Sequence, residues 1–168
     1  MKAVQIAVRA AYDRLADTYD ELFCNLELGK TARSQVWQIA DQAFGPARRL
    51  LDLGAGTGED AIHFASKGIH VTAVDSAARM MARLRAKAAA SGVSSRINVV
   101  VGEMNRYRPA AGDFDGIISN FSAINCVREL TWLRDTALQG LRPGSRLVIT
   151  AMGLFYPLET AVFLLKGR

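Results

Sequence analysis

Apolar residues along this chain change their spacing once, near residue 48, and the change separates two kinds of structure. Before it, Tyr12, Leu15, Ala16, Tyr19, Leu22 and Phe23 recur every three or four positions, which is the spacing of one helix face. Val36, Ile39, Ala40, Ala43 and Phe44 repeat that spacing, and Gly45-Pro46 stops the second helix. Residues 1–46 therefore read as an α-helical entry segment. Beyond it come five short runs rich in Val, Ile and Leu: RLLDLG, IHVTAVD, INVVVG, DFDGIISN and SRLVITAM. Helical stretches lie between them, ending at Lys67-Gly68, at Ser91-Gly92 and, for the last, running from about Val127 to Leu141.

Strands joined through helices are parallel neighbours, because a parallel pair needs a crossover. Crossovers are right-handed, so residues 47–168 are expected to form an α/β unit with an open, doubly wound, mostly parallel sheet. Such sheets bind ligands outside the carboxyl ends of their strands, where the strand order reverses. The residues just after each run are thus where chemistry is sought.

Composition narrows the classes. The chain has 168 residues, 50% of them hydrophobic and 22% charged, which suits one core and excludes disordered and disulfide-stapled classes. The net charge of +5 is scattered. Its densest group, Arg79, Arg83, Arg85 and Lys87, shares a helix with the apolar stripe Met80, Met81, Leu84 and Ala88, so those cations are expected on the solvated face. No aromatic residues interleave with them for base stacking, and nucleic acid is not an expected partner. Cys24 and Cys126 lack metal-ligand spacing, so no metal site is expected and both thiols suit a reducing compartment. The apolar stretch Leu147 to Leu158 is broken by Gly153 and Pro157 and falls short of the ~20 residues that span a bilayer. The amino-terminal apolar run is too short for a signal peptide, and the expected location is the cytoplasm.

The first run leads into Asp52-Leu53-Gly54-Ala55-Gly56-Thr57-Gly58-Glu59-Asp60. Glycines let a strand-to-helix turn approach a ligand without a β-carbon in the way, and the following helix offers unpaired N–H groups. A dinucleotide fingerprint needs Gly or Ala where Glu59 stands, and a Walker loop needs a lysine that is absent near Gly58. Asp75 ends the second run, 21 residues beyond Gly54. Its carboxylate suits the two hydroxyls of a ribose; alternatively Asp75, like Ser76, begins the next helix. Glu103 and Met104 follow the third run, where a carboxylate and a backbone N–H could flank an adenine. Asn120 and Phe121 follow the fourth, an amide beside a ring that could face a cation. His63 and His70 lie away from strand carboxyl ends and read as structural.

Taken together, LLDLGAGTG, VTAVD, GEM and FDGIISNFSAINCV resemble the class I S-adenosylmethionine-dependent methyltransferases over roughly residues 10 to 155. The resemblance implies a Rossmann-like methyltransferase fold with S-adenosylmethionine as cofactor and a free small molecule as methyl acceptor. It implies that Asp52, Gly54, Gly56 and Gly58 hold the methionine half of the cofactor, and Asp75, with Ser76 beside it, the ribose. Glu103 and Met104 would flank the adenine, while Asn120 and Phe121 would align the sulfonium with the acceptor. The AYDRLADTYDEL stretch resembles a lid helix, with Tyr19 at the cofactor's carboxylate end and Tyr12 the weaker candidate. Transfer would be a direct displacement at the methyl carbon, for which no general base is assigned.

Family members normally add two strands after the fifth, and only Leu154 to Arg168 follow here. The expected fold is therefore incomplete at its carboxyl end, either because the sequence is shortened or because the exposed edge pairs with a second copy. Two other functions stay open: a cofactor-binding or scaffold subunit without turnover, and a nicotinamide-dependent oxidoreductase, which Glu59 opposes.

Overall fold

A computed structural model describes residues 2–151 and Gly153. Two helices enter, α1 (Lys2–Leu15) and α2 (Glu27–Phe44), with a π-helical turn at Asp20–Cys24 between them. Then follow β1 (Arg49–Leu53), α3 (Glu59–Ser66), β2 (His70–Asp75), α4 (Ala78–Ala90), β3 (Ile97–Val101), β4 (Phe114–Ser119), α5 (Thr131–Gly140) and β5 (Leu141–Ile149). All five strands are parallel, in the order β3-β2-β1-β4-β5. The order reverses between β1 and β4, which sets the ligand crevice beside the carboxyl end of β1.

β1 is central and buried after its first residue. Its side chains alternate between two cores, as strand geometry requires. Leu50 packs with Ala40, Phe44, Phe64, Val71, Met81 and Leu84 beneath α2, α3 and α4. Leu51 and Leu53 pack with Val74, Phe114, Ile117, Trp132 and Leu133 beneath α5. α1 rests against α4, where Leu15, Ala16 and Tyr19 meet Ala77 and Met80.

Several expectations need correcting. The first helix does not run from Tyr12 to Phe23: α1 ends at Leu15, and the π-helical turn follows. There the Asp20 carbonyl accepts from Asn25 N at 2.7 Å, while the Asp20 carboxylate is bound from the far side of the cavity, so Leu22 and Phe23 turn outward. On α2 the buried residues are Arg33, Ala40 and Phe44, and Ile39 is 61% exposed. The last crossover helix begins at Thr131 rather than near Val127, after a 3-10 turn at Ala123–Cys126. β5 begins earlier than SRLVITAM, at Leu141, with an irregular register that takes Phe114↔Leu141 to Gly116↔Arg146. Lys87 is not on the solvated face, since its ammonium reaches under the entry segment to Asp20 and Glu59.

Among the described residues β5 pairs with β4 alone, so one edge of the sheet is open there. The short helix expected in YPLETAVFLLKGR lies outside the described residues. No described helix is long and apolar enough to cross a membrane.

Candidate active site

The glycine turn folds back over β2: Gly54 N and Ala55 N both donate to Val74 O, at 2.8 and 3.2 Å. Gly54 has φ +81°, and a β-carbon there would stand 2.3 Å from Ala123 Cβ. Gly56, at φ +54°, has no atom within 4 Å of where its β-carbon would be, so its surface is open. Asp75 fixes this turn. Its Oδ2 accepts from Gly56 N at 3.0 Å, and its Oδ1 from Ala77 N at 2.8 Å, at the start of α4. Asp75 thus braces the segment that leads into α4 and also lines the crevice. Burial raises its pKa, and the N–H groups of Ala77, Gly56 and Ser76 oppose that rise.

The crevice is open to solvent on one side. Of the residues singled out in the sequence, Tyr12, Tyr19, Gly54, Gly56, Asp75, Ser76, Met104, Asn120, Phe121 and Cys126 line it. Three cofactor candidates do not. Asp52 lies behind the wall, fully buried, with its Oδ2 unpartnered. Burial, then the charges of Asp60 and Asp75, push its carboxyl well above the ordinary value against the pull of Arg33. Gly58 is a packing position, for a β-carbon there would lie 2.3 Å from Leu84 Cγ on α4. Glu103 lines an adjoining pocket with Gln5, Arg9 and Asn105, and its Oε2 lies 2.8 Å from Arg106 Nε in an ion pair.

The far wall is a side-chain network that the sequence reading missed. Asp60 Oδ1 accepts from Trp37 Nε1 at 2.6 Å, from Arg33 at 3.2 Å and from Asn120 Nδ2 at 3.2 Å. Asn120 Oδ1 accepts from Phe121 N at 2.8 Å and Thr150 Oγ1 at 2.9 Å. The Asn120 amide is thus committed to protein partners and acts by holding Phe121. Phe121 and Ser122 take left-handed backbone angles, φ +47° and +60°, which are strained for residues with side chains. The turn sets the Phe121 ring 4.1 Å from the Arg33 guanidinium. A cation does face Phe121, and it is the protein's own. Arg33, Trp37, Ala40 and Phe44 are spaced four, three and four apart, so the stripe is present in the sequence but begins with an arginine.

A second network ties the entry segment to the glycine turn. Thr57 Oγ1 donates to Asp20 Oδ1 at 2.5 Å, and Lys87 Nζ donates to Asp20 Oδ2 at 2.8 Å and to Glu59. Burial works to raise the Asp20 pKa, but the Lys87 and Thr57 hydrogen bonds prevail and hold it low. Asp20, Cys24 and Glu59 put donor atoms within 4.8 Å of one another, and the Lys87 ammonium supplies the positive charge for that group. Above it, burial pushes the Tyr19 hydroxyl up to about 12. Tyr12 and Cys126 both line the cavity, and burial raises the pKa of each.

A sequence profile described as a methyltransferase domain matches residues 50–144, the stretch that carries the turn, Asp75 and the β4 end. This chain belongs to that family. Among its relatives, the demethylmenaquinone methyltransferase of Mycolicibacterium gilvum is 32% identical over 145 residues, covering 84% of this chain and 58% of its own. The chain spans about three fifths of the length of this and similar relatives. The CcbJ methyltransferase of Streptomyces caelestis superposes with a TM-score of 0.66 at 26% identity, over 80% of this chain and 54% of that one. Haemonchus contortus phosphoethanolamine N-methyltransferase 2, solved with S-adenosyl-L-methionine, has the same fold, with a TM-score of 0.64 at 24% identity over 80% of this chain and 33% of its own. The methyltransferase domain is therefore α/β, a Rossmann-like fold with five parallel strands described.

Proposed function

We propose that the chain is an S-adenosylmethionine-dependent methyltransferase acting on a small-molecule acceptor by direct displacement. The observation that carries this reading is the cavity at the β1/β4 switch, which joins the Asp75-anchored glycine turn to the Phe121 turn within the matched domain. The residues suit the cofactor: the open face of Gly56 accepts a chain that a side chain would exclude, and Asp75 keeps acceptor capacity beside its backbone donors. The relatives, a demethylmenaquinone methyltransferase and a ubiquinone/menaquinone biosynthesis C-methyltransferase, support a small-molecule acceptor.

In this reading Asp75 and Ser76 orient the ribose, Met104 borders the adenine, with Glu103 in the adjoining pocket, and Gly54 and Gly56 approach the methionine portion. Asp52 and Gly58 shape the turn from behind. S-adenosylmethionine supplies a methyl group already activated on a sulfonium. What the protein must add is alignment and exclusion of water. Phe121, held by Asn120, forms the wall at that end, and α1 with the π-helical turn forms the lid. α2 packs Ala40 and Phe44 into the sheet core, so the lid is narrower than residues 1–46. The free Cys24 and Cys126 suit a cytoplasmic protein.

Calorimetry of the 168-residue chain with S-adenosylmethionine, S-adenosylhomocysteine and NAD as control tests this. Selective binding of the sulfur compounds, lost in Asp75→Ala, is expected; a folded chain that binds neither overturns the reading. A second reading is a cofactor-binding subunit that does not turn over, or a chain that pairs β5, joined among the described residues to β4 alone, with a second copy. Formation of S-adenosylhomocysteine separates turnover from binding, and light scattering reports the copy number.

A further inference from the structure

Glu59, Asp60 and Asp75 are the carboxylates among the described residues that line the cavity, and two of them are engaged elsewhere. Glu59 is ion-paired with Lys87, and Asp75 receives Gly56 N and Ala77 N. Asp60, 7% exposed on the first turn of α3, lies instead at the Phe121 end. Its Oδ1 accepts from Asn120 Nδ2 at 3.2 Å, and Asn120 in turn holds Phe121 N at 2.8 Å. The same oxygen receives Trp37 Nε1 at 2.6 Å and Arg33 at 3.2 Å, so three donors leave it no capacity. Among the described residues no donor reaches Oδ2, and Oδ2 is not enclosed, which makes it the oxygen given to the cavity. Donors from α2 and from the turn after β4 fix the plane of the carboxylate, so Oδ2 is held in place before a ligand arrives. The nearby polar groups are of another kind: burial keeps the protons on Tyr12, Tyr19 and Cys126. An ionised carboxylate oxygen only accepts, and the group that meets it must donate.

Resting on the active-site reading above, we propose that Asp60 selects the methyl acceptor, its Oδ2 receiving an O–H or N–H of that molecule beside Phe121. The acceptor class is then a molecule that carries a hydroxyl or an amine at its methylated end. 2-Naphthol and 2-methoxynaphthalene probe this, because both offer a planar ring to Phe121, which is 39% exposed, and only the first has a proton to donate. The full chain, loaded with S-adenosylhomocysteine, is titrated with each in turn, as wild type and as Asp60→Asn. The asparagine keeps an oxygen for Trp37, Arg33 and Asn120 and turns an amide to the cavity, which donates to hydroxyl and ether alike.

The expected result is a preference of about tenfold or more for 2-naphthol in wild type, falling to near unity in Asp60→Asn. S-adenosylhomocysteine binding is expected to be kept in that variant, which reports that the fold and the cofactor half of the site are intact. A wild-type chain that does not bind 2-naphthol, or binds it no better than the ether, overturns the assignment, as does a folded variant that keeps the preference. If the variant does not fold, a crystal structure of the wild-type chain with S-adenosylhomocysteine and 2-naphthol decides instead. The naphthol oxygen is expected within hydrogen-bonding distance of Asp60 Oδ2, and a hydroxyl placed elsewhere overturns the assignment. If wild type does not bind S-adenosylhomocysteine, the cofactor reading fails by itself, and the same pair of probes on the unloaded chain still decides the role of Asp60.

Discussion

On the floor of the cavity the ligand-facing surface is backbone: Gly54 N bonds to Val74 O, and Gly56 N to the Asp75 carboxylate. On the roof it is side chains, with Asp20 held by Thr57 and Lys87, and Arg33 laid over Phe121. Backbone placed by a five-stranded sheet has no rotamers to lose, whereas each roof contact orders long side chains and depends on charge. The floor is therefore expected to be unforgiving of added atoms, and the roof to respond to pH and salt.

The largest effect is expected from the glycines, which fail in different ways. Gly54→Ala puts a methyl into Ala123 at a left-handed backbone position, and should cost about 2–5 kcal/mol of stability in chemical denaturation. Gly56→Ala meets open space, so it should cost only about 1 kcal/mol of stability yet abolish S-adenosylhomocysteine binding in calorimetry. Equal behaviour of the two would erase the distinction between a packed and a ligand-facing glycine.

Acid should act oppositely on the two walls. Asp52 and Asp75 have folded pKa values raised above 3.8, first by burial, so the stability they contribute is present below that value and is lost as pH rises through the folded ones. Asp20 is held below 3.8, so its contribution is present above that value and is lost as pH falls through the folded one. Asp52→Asn should raise the melting temperature at neutral pH and flatten the floor's dependence. A variant less stable than wild type at pH 7 would contradict a buried carboxylate with an unpartnered Oδ2.

Smaller effects belong to the roof. Lys87→Met leaves Asp20 and Glu59 facing each other and should cost about 1–2 kcal/mol, with faster amide exchange confined to residues 16–25. Global loosening instead would mean that the roof is part of the core. Tyr19→Phe removes a hydroxyl that stays protonated at neutral pH, and should weaken S-adenosylhomocysteine binding by about 0.5–1.5 kcal/mol without a pH dependence.

The floor was readable in the sequence because its signals are local. Runs such as IHVTAVD are long enough to be strands only, and a glycine turn after the first of them has one place to go. The roof was not. Leu22, Phe23 and Ile39 fit a helix period and still lie outside, because nothing in their spacing records that Asp20 and Arg33 are pulled inward. Lys87 looked solvated for the same reason: its partners are 67 and 28 residues away.

By itself the sequence determined the parallel sheet, the turn after β1 and the acid that ends β2, since hydrophobic period and turn chemistry act between near neighbours. Only the tertiary structure decided which polar groups face the cavity. It buried Asp52, turned Gly58 to Leu84, committed Asn120 to protein partners and brought Arg33 onto Phe121. Those outcomes depend on which donors and acceptors meet once water is excluded, and burial makes each unmet one costly.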